Sequence, residues 1–147
     1  MTITSLVHLG PHDGKTLQIG RFEFTFKAGA QCQSGYTVAE VVVPPGAVNG
    51  PHRHPCEETM YLLAGELEFA GESGERRRVP AGATVHVPAD TVHYYTNATA
   101  EPARLLVVAP VAQEAVFDDL ARASGDPARV AAAMARHGVV AAKARVS

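Results

Sequence analysis

At 147 residues and 46% hydrophobic, the chain is long enough for one well-cored domain and short for two. A net charge of −2 and the lack of a long basic run exclude a nucleic-acid binder built on phosphate contacts. No apolar stretch approaches the roughly 20 residues of a membrane span, the N-terminus lacks a signal-peptide pattern, and only Cys32 and Cys56 are cysteines, so a reduced, cytoplasmic protein is expected.

Phe22, Phe24 and Phe26 alternate with Glu23 and Thr25, the period of a half-buried strand. Residues 36–43 are rich in β-branched side chains, and Pro44-Pro45-Gly46 stops them. Residues 59–63 and 66–70 flank Ala64-Gly65, which reads as a hairpin turn using glycine's access to positive φ. Gly71 to Gly74 makes the next turn, and residues 75–79 return. Arg76, Arg77 and Arg78 lie beside Glu72 and Glu75, a solvated strand edge whose charge discourages edge pairing. Residues 84–87, 92–96 and 104–109 complete a series of short strands, which predicts an all-β sandwich or barrel.

The tail changes period. Val116, Phe117 and Leu120 sit at helical spacing within residues 113–123, and Ser124-Gly125 breaks the pattern. Asp126 is an expected N-cap with Pro127 at the first helical position, and Gly138 is the stop after residues 128–137. Two short helices are therefore expected, packed on the strands or on a partner subunit, with their alanine and methionine serving packing. The division is residues 1–110 as the β unit and 111–147 as the helical tail.

Chemistry concentrates in two glycine- and proline-punctuated segments. The first carries His52, His54 and Glu58; the second runs from Gly82 through Pro88 to His93. Alternate strand residues face one way, so His52 and His54 can point together, while His93 must arrive from a separate strand. Three imidazoles and a carboxylate can share one divalent transition metal: iron, manganese, nickel, cobalt, copper or zinc. No thiolate cluster suggests a structural zinc knuckle. Cys56, between the ligands, is either a soft ligand or nucleophile, or a space-filling loop residue. Glu57 is an alternative carboxylate to Glu58. His8, His12 and His137 read as surface residues.

Residues 46–65 resemble the first signature of the cupin superfamily: glycine, five residues, His-x-His, three residues, glutamate, six residues, glycine. Residues 82–97 resemble the second, with Pro88, His93 and Asn97 in place, and Asp90 standing where glycine is usual. Aspartate tolerates left-handed backbone better than most residues, so the turn is expected to survive. Residues 54–66, 85–88 and 104–110 are also similar to compact bacterial single-domain cupins of the quercetin dioxygenase-like group.

The resemblance implies a double-stranded β-helix, or jelly-roll cupin barrel, with His52, His54, Glu58 and His93 on one metal. It further implies open coordination positions for a small-molecule substrate with an enol, hydroxyketone or carboxylate group, and Glu58 as the base that takes its proton. A dioxygenase is the leading expectation. A non-oxidative isomerase, cyclase or lyase and a non-catalytic small-molecule binding module are the alternatives. Met60 and Leu62 are expected to line the barrel beside Glu58, with Glu40 and His86 as candidate polar groups of the pocket. Glu40, among valines, is otherwise an exposed residue of the opposite face, and His86 is otherwise part of the wall. Asn97 is expected to hold its turn by hydrogen bonds. A homodimer is expected, since residues 1–20 look suited to strand exchange.

Overall fold

Strict alternation decides which faces are buried. In β3 (Tyr36–Val43), Thr37, Ala39, Val41 and Val43 are buried while the residues between them are partly open. In β10 (Ala103–Pro110), Ala103, Leu105, Val107 and Ala109 are buried in the same way. With β2 (Phe22–Ala28), these strands place Phe24, Phe26, Val41, Leu105 and Val107 in one core. A side chain as completely buried as Phe26 contributes about 1.5–3 kcal/mol relative to exposure.

The computed structural model describes residues 2–143. Beyond β2, β3 and β10, its strands are β1 (Lys15–Ile19), β4 (Val48–Arg53), β5 (Glu58–Ala64), β6 (Glu66–Gly71), β7 (Arg76–Pro80), β8 (Thr84–Val87), β9 (His93–Thr96) and β11 (Val140–Ala141). They form two antiparallel sheets, one in the order β1-β2-β3-β10-β5-β8 and the other β11-β4-β9-β6-β7. Facing sheets of this order, joined around one core, make the double-stranded β-helix.

The turns follow their residue chemistry. Gly65 sits at φ +79° between β5 and β6. Asp90 adopts φ +55°, and its N–H donates to the His54 carbonyl at 2.9 Å, so the irregular position ties the two histidine segments together. Asn97 is fully buried; its amide donates to the carbonyls of Val43 (3.0 Å) and Glu101 (2.8 Å), and its oxygen accepts from Thr99.

The helices are α1 (Ala112–Ala123) and α2 (Pro127–Arg136). Phe117 of α1 packs on Phe24 with ring centroids 4.9 Å apart. Lys15 of β1 reaches Glu114 at 2.8 Å and Asp118 at 3.1 Å, and Glu114 also accepts from the Ala30 N–H at 3.0 Å. Asp126 caps α2 by accepting from the backbone of Ala128 and Arg129. Past Gly138 the chain returns as β11, whose Ala141 lies opposite His52. Two residues carry no readable period, so this strand was not anticipated. β1, within the residues 1–20 expected to suit strand exchange, pairs with β2 of its own chain. The expected tail runs to residue 147, and residues 144–147 lie outside the described residues.

A Cβ at Gly65 would lie 2.9 Å from both the Ala103 Cα and the Pro102 carbonyl oxygen. Left-handed backbone and a backbone clash combine there. Gly65→Ala is expected to destabilise the fold by roughly 2 kcal/mol or more, read as a lowered midpoint in urea unfolding; an unchanged midpoint contradicts the packing.

Candidate metal centre

Pro51 has no N–H to give the β4–β9 ladder. The register accordingly steps from Asn49 opposite Tyr95 to His52 opposite His93, one extra residue on β4. This bulge resets the parity, so Asn49 and His52 both line the same cavity although they are three residues apart. His54 follows just beyond β4, and Glu58 opens β5.

Donor atoms of His52, His54 and His93 lie within 4.8 Å of one another. His54, Glu58 and His93 are buried, with 4%, 7% and 4% of their surface exposed. Glu58 Oε1 lies 3.1 Å from His93 Nε2 and 3.5 Å from His54 Nε2. The structure therefore brings together all four residues that the sequence singled out.

The outer hydrogen bonds orient the rings. His52 Nδ1 lies 2.7 Å from the Gly50 carbonyl, His54 Nδ1 2.8 Å from the Cys56 carbonyl, and His93 Nδ1 2.9 Å from the Thr91 carbonyl. A carbonyl only accepts, so Nδ1 is the protonated nitrogen in each neutral ring. Each Nε2 then presents a lone pair. Lone pairs on His54 and His93 facing a carboxylate are repulsive unless a proton or a cation lies among them. Imidazole nitrogens oriented by backbone carbonyls are also the usual second partners of metal-bound histidines. The donor set fits a divalent transition metal, and His52, His54 and His93 lie close enough to hold one.

Protonation follows the same geometry. Burial, reinforced by the neighbouring His93, pushes His52 down to about 4. Burial alone would lower His54 too, but the hydrogen bond to Glu58 and its charge outweigh it and raise this imidazole. Burial would raise Glu58, yet the hydrogen bonds from His54 and His93 reverse this and hold it at about 2.

A cavity of about 480 Å³ opens beside these residues, bounded by the barrel mouth on one side and by α1 and α2 on the other. Met60 lines it, as the parity from Glu58 suggested. The other tentative pocket residues lie elsewhere. Leu62 is 2% exposed and belongs to the packed core, one turn of the pleat too deep. Glu40 takes the outer face of β3, where its carboxylate accepts from Arg104 Nε at 2.7 Å. His86 is exposed on β8, with Nδ1 2.8 Å from the Thr59 hydroxyl and Nε2 3.7 Å from Glu57. Glu57 itself points outward, its side chain 62% exposed, so the buried carboxylate is Glu58. Burial raises the Cys56 thiol, which disfavours a thiolate.

Sequence reasoning missed several wall residues. Tyr95, two positions after His93, lines the cavity, and its hydroxyl hydrogen-bonds to the Asn49 side chain; the strand period was the available signal. Gln113, Leu120, Val130 and Met134 reach the cavity from the helices, where helical spacing alone reads as packing.

Residues 39–109 match the family model Cupin_2, described as "Cupin domain". Comparison with curated proteins finds no match. Among solved structures, the chain is similar to the polyketide cyclase RemF of Streptomyces resistomycificus, with 22% identity, a TM-score of 0.66 and coverage of 73% of this chain and 80% of that one. It is also similar to a Cupin 2 conserved barrel domain protein of Salinispora arenicola, with 22% identity, a TM-score of 0.62 and coverage of 90% and 100%. A cupin-superfamily sugar phosphate isomerase of Silicibacter pomeroyi matches at 25% identity and a TM-score of 0.56, over 60% of this chain and 59% of that one. These likenesses establish the cupin fold. No described helix is long and apolar enough to cross a membrane.

A cation entering the site must displace the proton that His54 shares with Glu58. Because the His54 value is raised, that proton is held to higher pH and competes more strongly as pH falls, whereas His52 stays neutral down to about pH 4. Cobalt(II) affinity is expected to weaken steadily on acidification below neutrality. Calorimetric titration in buffers of different ionisation enthalpy is expected to register proton release, and buffer-independent heats contradict the assignment.

Proposed function

We propose that the chain is a metal-dependent enzyme that takes a proton from an enolic or hydroxyketone small molecule and uses dioxygen as co-substrate, a dioxygenase. The observation that carries the acid–base part is the convergence of the inward nitrogens of His54 and His93 on the buried Glu58 carboxylate, with His52 alongside. His52, His54 and His93 are the residues that would hold the ion, with Glu58 as a fourth ligand or as the neighbouring base. A divalent cation there supplies Lewis acidity, lowering the pKa of a bound enol or hydroxyketone and stabilising the enolate.

The protein's own part is proton handling and shielding. Glu58, ionised at neutral pH, accepts the substrate proton on Oε1 or Oε2. His54 and His93 keep that carboxylate aimed into the cavity. Apolar walls from Phe22, Phe24, Met60 and Phe117 keep water from the carbanion side of the substrate. The dioxygen step rests on the likeness of the histidine segments to the quercetin dioxygenase-like group.

A non-oxidative isomerase or cyclase is the second reading. It is favoured by the same carboxylate, since a base poised to take a proton can return it to another carbon without a co-substrate.

His93→Ala is expected to lower metal content sharply, from about one ion per chain, while far-ultraviolet circular dichroism stays that of the barrel; unchanged stoichiometry contradicts the ligand set. Glu58→Gln is expected to keep the three imidazoles while turnover of enolic substrates falls by about 10²–10⁴-fold. Oxygen-electrode measurements separate the two readings. Uptake matched to substrate loss supports the dioxygenase, and equal turnover without oxygen supports the isomerase or cyclase.

A further inference from the structure

The cavity beside the candidate metal centre has a composition that narrows its occupant. Phe22, Phe24, Phe117, Met60, Leu120 and Met134 supply much of its wall, and no lysine or arginine among the described residues lines it. Apart from Glu58 and the histidines, its amide and phenol groups are Asn49, Tyr95 and Gln113. Asn49 and Tyr95 hydrogen-bond to each other. Gln113 is different. It is only 3% exposed and lines the cavity, yet its side-chain amide has no hydrogen-bond partner among the described residues.

The polar atoms of this side chain are not sealed off, since no fully buried side-chain nitrogen or oxygen among the described residues lacks a partner, so the amide is free to pair with a ligand group that enters the cavity. The backbone that carries Gln113 is anchored. The neighbouring Glu114 is locked by the Lys15 ammonium at 2.8 Å and the Ala30 N–H at 3.0 Å, which pins the first turn of α1 to the barrel. Gln113 rides on that turn and lines the cavity.

We infer that Gln113 is a substrate-positioning residue, and that the cavity takes a neutral, largely aromatic molecule whose hydroxyl or carbonyl oxygen pairs with the Gln113 amide. In the metal-free protein a phosphorylated or multiply acidic sugar finds no lysine or arginine among the described residues of this wall to offset its charge. A cavity of about 480 Å³ is in the range that encloses such a compound. This rests on the cavity being the substrate site proposed above. It does not depend on the identity of the ion or on the use of oxygen.

The test uses metal-free protein, so that failure of the metal reading and failure of this one are distinguishable. The chain has no tryptophan, so the fluorescence of naphthalene-type probes is read against a low background. Wild-type protein is titrated with 2-naphthol, with naphthalene and with glucose 6-phosphate. The expected order is 2-naphthol tighter than naphthalene by about fivefold to tenfold, with no binding of glucose 6-phosphate detected by calorimetry. Gln113→Leu and Gln113→Met, which keep the volume and remove the amide, are expected to bind both ring compounds equally. A purely structural role for Gln113 would weaken both together and leave their ratio intact. Equal wild-type affinity for the two ring compounds, an unchanged ratio in whichever variant folds, or tighter binding of glucose 6-phosphate overturns the inference.

Discussion

Three hydrogen bonds to backbone carbonyls organise the site. His52, His54 and His93 each place Nδ1 against a carbonyl two residues away, which in the neutral ring leaves Nε2 with a bare lone pair. Around a buried carboxylate, such an arrangement is unfavourable until a proton or a cation enters it. The backbone thereby selects the cation-binding tautomer before any cation is present. The lowered value of His52 and the raised one of His54 are two results of one geometry, burial in the first and contact with Glu58 in the second.

The barrel maintains those three bonds. Pro51 interrupts the β4–β9 ladder and the bulge turns His52 inward, while the Asp90 N–H holds the His54 carbonyl. Side chains that look unrelated to chemistry therefore set its angles. Even the tail takes part. Phe117 seals the cavity against Phe24, and β11 lays Ala141 beside His52, so the helical segment completes the wall that the barrel leaves open. Both strands and helices give this cavity apolar side chains, with Glu58 and the imidazoles on the strand side and Gln113 on the helix side.

Most strands were legible because β3 and β10 bury one face only, and one-sided burial writes a period of two into the residues. The α2 boundaries were legible because Asp126, Pro127 and Gly138 each satisfy a local backbone requirement. Parity put both Met60 and Leu62 on the inward face. It did not separate Met60, which lines the cavity, from Leu62, which lies in the packed core, because facing inward does not distinguish the open mouth of a barrel from its packed floor. It offered no help with Glu40, whose carboxylate pairs with Arg104 across the sheet, a contact between residues far apart in the chain.

Composition and spacing by themselves determined that three imidazoles and a carboxylate belong to one constellation on a small β protein. Those features are local: residue type, two-residue period and turn-forming glycine and proline. Only the tertiary structure decided that His86 lies outside, and that Gln113 and Tyr95 reach the cavity. Each of those outcomes depends on where a strand bulges, how deep a residue sits along the barrel axis, or how a distant helix docks. Such quantities are set by contacts between segments remote in sequence, so no local pattern encodes them.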